Sequence, residues 1–308
     1  MASSRTHCLF CGGAAGGIVF PFGTIWSGRR FDYVRCQGCG SSFVDPLPTE
    51  DDFARIYSHF EYHSEFYQEA SEERSQSQLH SVVRFLKPNG RLLDFGCGSG
   101  SFLIAARNAG FQAEGVELEK QARLNAAAAS GCLVHSPDEV RVAEQLYDVI
   151  HLGDVLEHLP APERTMRQLE TLMAPGGLFF LEGPLEDNAS PVYYAARLFG
   201  WIKRLTGRGI YAELPPFHLI RTTARAQRSF LEQQLGYEIL AFRVYESGWP
   251  YRNEGDRFLH PGSFARLIRM SIGVLAVAVA WVAAWSPWLP GNRFIAIARP
   301  KVRPGERS

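Results

Sequence analysis

Between residues 91 and 183, short apolar runs alternate with helical patterns, and no other feature constrains the chain as tightly. RLLDF runs into a glycine-rich turn and then into SFLIAARNA, where apolar residues recur at helical spacing. AEGVE, CLVH, YDVIHL and GLFFLEG read as further strands, with KQARLNAAAA and PERTMRQLETLMA as helices between them. Alternation at this spacing predicts an α/β fold with a parallel, doubly wound sheet. YEILAFRVYE and RFIAIARP supply two later strands, and QLHSVVRFLK reads as a helix that ends at Pro88-Asn89-Gly90.

The first turn of this alternation carries chemistry. Gly96, Gly98 and Gly100 stand at alternate positions between a strand and a helix, with Asp94 two residues before the first. Alternate glycines let the backbone approach a ligand closely and leave amides at a helix start. The spacing differs from the G-x-G-x-x-G of a dinucleotide site, so no bound phosphate is required. Asp94 can instead accept hydrogen bonds from a cationic amino group. A second acid, Glu117, ends the next strand 21 residues after Gly96. An acid at that place can accept both hydroxyls of a ribose.

The amino-terminal 45 residues have a different character. Four of the six cysteines lie here, as Cys8-x-x-Cys11 and Cys36-x-x-Cys39, each pair followed by glycine. Four thiolates form a closed tetrahedral set suited to structural zinc, and the 24 residues between the pairs accommodate a hairpin. Unmetallated thiols and a redox Cys-x-x-Cys are the alternatives; the second lacks the surrounding βαβ unit. No apolar leader opens the sequence, so a reducing, cytoplasmic setting is expected. Lys+Arg and Asp+Glu number 32 each. A chain without basic excess is a poor candidate for nucleic-acid binding.

Residues 91–183 resemble the class I S-adenosylmethionine-dependent methyltransferases, through LLDFGCGSG, GVELE, YDVIHLGDVLEHL and LMAPGGLFFLEGP. The resemblance implies a seven-stranded, mostly parallel Rossmann-like sheet, with the last two strands as an antiparallel hairpin at one edge. It implies S-adenosylmethionine as cofactor, with Asp94, Gly96, Gly98 and Gly100 around its methionine end and Glu117 on its ribose. Residues 136–139 would lie near the adenine, and Asp154 at the mouth of the fourth strand. Paired with a zinc ribbon, the core is similar to bacterial methyltransferases of sugar and polysaccharide pathways. That implies a sugar, glycan or lipid-linked saccharide acceptor, methylated on oxygen or carbon. RNA methylation through the ribbon and a non-catalytic cofactor-binding scaffold are the rival readings.

An oxygen acceptor needs a base near working pH. Open α/β sheets bind ligands beyond the carboxyl ends of their strands. His218 and His158 are the catalytic candidates there, joined by Glu157 and Glu182; Tyr193, Tyr194 and Tyr211 are candidates for lining the acceptor pocket. The expected organisation is a ribbon at 1–45, a helical linker at 46–90, a methyltransferase domain at 91–300 and a disordered tail at 301–308. Residues 184–223 form an acceptor or cap insert, where YYAARLFGWIKRL has the pattern of an interfacial helix. Residues 264–290 form an apolar insert, too short before Pro287 for a comfortable span. Both inserts suggest contact with the inner face of a membrane.

Overall fold

The computed structural model describes residues 7–58, 72–141, 146–206, 211–245 and 291–301. The apolar insert at 264–290 and all but the first residue of the tail lie outside these residues. Seven strands form the main sheet: β4 (Arg91–Phe95), β5 (Gln112–Val116), β6 (Leu133–His135), β7 (Tyr147–Gly153), β8 (Met173–Pro184), β10 (Tyr237–Tyr245) and β11 (Arg293–Pro300). Their order is β10-β11-β8-β7-β4-β5-β6. The five strands from β8 to β6 are parallel, and β11 and β10 add antiparallel at the edge. This is the doubly wound α/β sheet that the alternation predicts, with the antiparallel edge hairpin that the resemblance implies.

Local chemistry explains the boundaries. Helix α1 (Glu50–Ser58) starts at a reciprocal cap, in which Thr49 Oγ1 accepts from the Asp52 amide and Asp52 Oδ2 accepts from the Thr49 amide at 2.8 Å. Helix α2 (Glu72–Val82) begins and ends earlier than the predicted 78–87 and passes into a short 3-10 turn at Val83–Phe85. It buries Ser75 and Gln78 where it faces a cavity, and apolar periodicity fails there. Helices α3 (Ser101–Asn108), α4 (Lys120–Ser130), α5 (Pro137–Arg141) and α6 (Pro162–Glu170) make the crossovers. The core under the sheet is fully closed by Leu92, Leu93, Ile150, Phe179 and Phe180.

The described residues of the cysteine-bearing segment, 7–45, form no helix. Strands β1 (Ala15–Trp26), β2 (Arg29–Cys36) and β3 (Ser42–Asp45) form an antiparallel sheet, completed by β9 (Ile220–Arg221) from the insert after β8. Phe10 stacks on Phe230 at 4.1 Å between ring centroids, and one apolar cluster runs through both sheets. Helix α7 (Pro191–Leu205) packs beside β1, and α8 (Ala224–Ser229) follows β9. Among the described residues, no helix is long and apolar enough to cross a membrane.

Candidate functional site

A single cavity of 1420 Å³ opens at the carboxyl ends of the parallel strands. A pocket for one small molecule holds roughly 300–1,000 Å³, so this one has room for two ligands. At one end lie Asp94, Gly96, Ser99, Glu117 and Leu118; at the other lie Glu157, His158, Glu186 and His218.

The first end is built by the β4 turn. Gly96 and Gly98 take left-handed backbone angles, φ 81° and 52°. A Cβ on Gly96 would stand 2.6 Å from the Val155 side chain, so a larger residue would have to push the two loops apart. Gly98 and Gly100 shape the turn without lining the cavity; the Gly98 amide donates to Glu117 Oε2 at 3.0 Å. Glu117 also accepts from the Leu118 amide at 2.7 Å, which locks its carboxylate at the strand end. Leu118, 59% exposed, offers an apolar face beside it. Of the residues at 136–139, Pro137 borders the same cavity. The loop, the two acids and this apolar face fit an S-adenosyl cofactor.

Asp94 is held from below by a residue the sequence did not single out. His151 on β7 is buried, stacked on Phe102, with Nδ1 2.7 Å from Asp94 Oδ1 and Nε2 3.5 Å from Glu182 Oε1. Burial works against a charged ring, but the two carboxylates prevail and carry its pKa up to about 9. Asp154 has φ 54° and stands at the mouth of β7. Its carboxylate is occupied by Arg293 at 2.5 Å, with Arg74 at 3.9 Å. Burial raises its pKa, and the two guanidiniums more than offset that and hold it below the usual range.

The second end gathers residues from separate segments. His218 Nδ1 lies 2.8 Å from Glu186 Oε2. Burial opposes ionisation of both, yet each stabilises the other: Arg221 and His218 hold Glu186 down to about 2, and Glu186 lifts His218 to about 9. With Glu186 ionised, Nδ1 donates and Nε2 is left for a ligand. His158 Nδ1 donates to the Phe217 carbonyl at 2.8 Å. Burial and the neighbouring His218 push its pKa down to about 3, so the ring is neutral and Nε2 is an acceptor. Glu157 is buried, and burial followed by Asp154 raises its pKa to about 8. Tyr193, Tyr194 and Tyr211 do not line this cavity: Tyr193 packs on Phe22, Tyr194 is exposed and Tyr211 donates to Asp32.

The four knuckle cysteines converge elsewhere, behind the small sheet. Their sulfurs lie within 4.8 Å of one another, with Cys11–Cys36 at 3.5 Å and Cys8–Cys39 at 3.9 Å. Tetrahedral zinc at about 2.3 Å from each sulfur spaces them about 3.8 Å apart, so the donor set fits. Gly12 and Gly40 take left-handed angles, and their amides close each knuckle by donating a hydrogen bond to the Cys8 and Cys36 carbonyls. The Phe10 amide donates to Cys8 Sγ at 3.3 Å. The remaining two, Cys97 and Cys132, sit against Leu103 in a small apolar cluster.

A family model described as a methyltransferase domain matches residues 67–240, more than half of the chain. The chain belongs to this methyltransferase family. Among curated proteins, a ubiquinone biosynthesis O-methyltransferase from Xanthomonas campestris is 32% identical over 140 residues, 42% of this chain and 57% of that protein. One of the same description from Bordetella pertussis is 34% identical over 131 residues, 40% of this chain and 54% of that protein. The methyltransferase thus spans little more than half the length of these relatives. Among solved structures, a chain from the Haloferax volcanii complex of a methyltransferase activator with a methyltransferase superposes with a TM-score of 0.50. It is 14% identical and covers 78% of this chain and 96% of that one. That likeness concerns the fold.

Four site residues escaped the sequence reading. His151 stands in an apolar strand, where its spacing gave no cue. Arg293 pairs with Asp154 across 139 residues of sequence, and Tyr33 and Glu186 meet at His218 across 185 and 32 residues. Only the topology brings these together.

Proposed function

We propose that the methyltransferase transfers a methyl group to a hydroxyl oxygen of its acceptor, and that His218 receives the proton the hydroxyl loses. The His218–Glu186 pair carries this reading: a carboxylate-held imidazole at the acceptor end of a cavity whose other end fits the cofactor. Bound S-adenosylmethionine supplies an electrophilic methyl on a sulfonium. The chain's residues do the rest. His158 Nε2 accepts a hydrogen bond from a second polar group of the acceptor and so orients the reacting hydroxyl, since its own pKa is too low for a base. With that methyl donor bound, His218 Nε2 would take the hydroxyl's proton as the new C–O bond forms and the donor's C–S bond breaks. The four cysteines hold one zinc ion with a structural role.

The acceptor we favour is a lipid-linked saccharide hydroxyl. The resemblance to glycan-pathway methyltransferases supports it, and the apolar rim formed by Phe53, Leu159, Leu214 and Phe217 suits a lipid portion. The curated relatives' name supports an aromatic hydroxyl instead. Release of S-adenosylhomocysteine across nucleotide sugars, polyprenyl-linked saccharides and polyprenylated phenols separates these. Turnover with the saccharides is expected; turnover with the phenols alone overturns the acceptor class. Cofactor binding with no turnover on any acceptor supports the scaffold reading.

One further feature supports docking on a membrane surface. Tyr194, Leu198, Trp201, Ile202 and Leu205 recur along one exposed face of α7, with Lys203 and Arg204 beside them. The full chain should float with anionic vesicles, and Leu198→Glu with Trp201→Glu should weaken that about tenfold or more. Flotation unchanged by this pair removes α7 from the account.

A further inference from the structure

We propose that the cysteine knuckle on β2 is a positioning element for the acceptor end, acting through Arg35 and Tyr33 on the His218–Glu186 pair. The inference rests on the reading of His218 given above, and it concerns residues outside the matched methyltransferase domain.

The connection is continuous in the structure. Arg35 precedes the ligand Cys36, and its Nη1 donates both to the Gly40 carbonyl, at 2.7 Å, and to Asp187 Oδ2, at 3.0 Å. Gly40 closes the Cys36-x-x-Cys39 knuckle, so the guanidinium is seated by the metal loop itself. Ser42, just beyond the knuckle, donates from Oγ to the same Asp187 oxygen at 2.5 Å. Asp187 is buried and adjoins Glu186, the partner of His218. On the other side, Tyr33 Oη donates to the main-chain carbonyl of His218 itself. Arg221 stacks on Phe22 of β1 at 3.6 Å and reaches both acids, at 3.8 and 4.0 Å. The knuckle's own sheet extends into β9, and the Val44 amide donates to the Leu219 carbonyl at 2.9 Å. The cysteine-bearing sheet therefore holds His218 directly, through Tyr33, and Glu186 indirectly, through its neighbour Asp187 and through Arg221. A ribbon that served only to fold itself, or to bind a partner, would not need these buried polar contacts; a buried carboxylate is costly unless such donors meet it.

The test follows His218 directly, by NMR of the full-length protein labelled at histidine Cε1, with His218 assigned by loss of its signal in His218→Gln. The charged and titratable groups facing it are Glu186, Glu157, Asp154, Arg221 and His158. Arg35→Gln should retain zinc and bind S-adenosylhomocysteine within twofold of the native protein. It should lower the His218 titration midpoint by at least about half a pH unit and turnover about tenfold. Arg35→Lys, which keeps a charged donor toward Asp187, should recover part of both. Tyr33→Phe should weaken turnover with cofactor affinity unchanged. Removing zinc with a chelator should reproduce the Arg35→Gln midpoint, and adding zinc back should reverse it. An unaltered His218 midpoint in folded, zinc-loaded Arg35→Gln overturns the proposal. A midpoint that moves while His218→Gln retains turnover keeps the positioning link and instead removes His218 from the reaction.

Discussion

The two ends of the cavity are built by opposite strategies. The cofactor end comes from one strand–turn–helix–strand unit, in which Asp94 and Glu117 lie 23 residues apart. The acceptor end is assembled from segments around residues 33, 158, 186, 218 and 293, and two of those lie outside the matched methyltransferase domain. A local unit can keep its geometry through its own hydrogen bonds, as Glu117 does with the Gly98 and Leu118 amides. A dispersed site depends on the packing of whole sheets.

The comparison breaks first at the glycine turn. Gly96→Val combines an unfavourable φ of 81° with a contact on Val155 already too short for a Cβ. It should lower S-adenosylhomocysteine affinity by about 100-fold or more in calorimetric titration. Native affinity in this variant would mean that the cofactor does not enter by the turn.

Second is His151, which serves the cofactor end from inside the core. Replacing it by Phe leaves Asp94 and Glu182 buried without their shared cation, and chemical denaturation should show a loss of about 3–5 kcal/mol. Its pKa is raised from 6.5 in the free side chain to about 9 in the fold. Its contribution to stability is therefore complete below about 6.5 and is lost as pH rises through about 9. The native protein should lose stability across that window, and His151→Phe should lose less. Parallel pH curves for the two proteins would remove the imidazolium from the account.

The smallest shift is one of pH profile at the acceptor end. With the neutral form of His218 as the proposed base, turnover should rise with pH and level near 9. Glu186→Gln removes the charge that lifts His218, and the rise should move down by about 1–2 pH units. A pH profile identical to that of the native enzyme would detach Glu186 from His218.

Legibility in the sequence follows the same division. The order of strands and helices from 91 to 183 was readable because parallel strands and their crossovers repeat one local pattern. The glycine turn and the cysteine knuckles were readable because their geometry forces glycine or cysteine at fixed spacing. The start of α2 was not, because Ser75 and Gln78 face a cavity and so break the apolar period. His151 was not, because a buried imidazolium paired with two acids looks like any polar residue within a strand. The three tyrosines offered as pocket lining are packing and surface residues, since aromatic character alone does not say which face of the insert turns inward. Tyr33 as a clamp on His218 was beyond reach, since 185 residues separate the partners.

The central claim is that one cavity holds two separable functions. Glu117→Ala and His218→Gln, measured side by side for S-adenosylhomocysteine binding and for turnover, test it most directly. Glu117→Ala should lose cofactor affinity and, with it, turnover at limiting cofactor. His218→Gln should bind S-adenosylhomocysteine within twofold of the native enzyme and lose about 100-fold to 10,000-fold in turnover. Equal losses of cofactor affinity in the two variants, or full turnover by His218→Gln, would contradict the division.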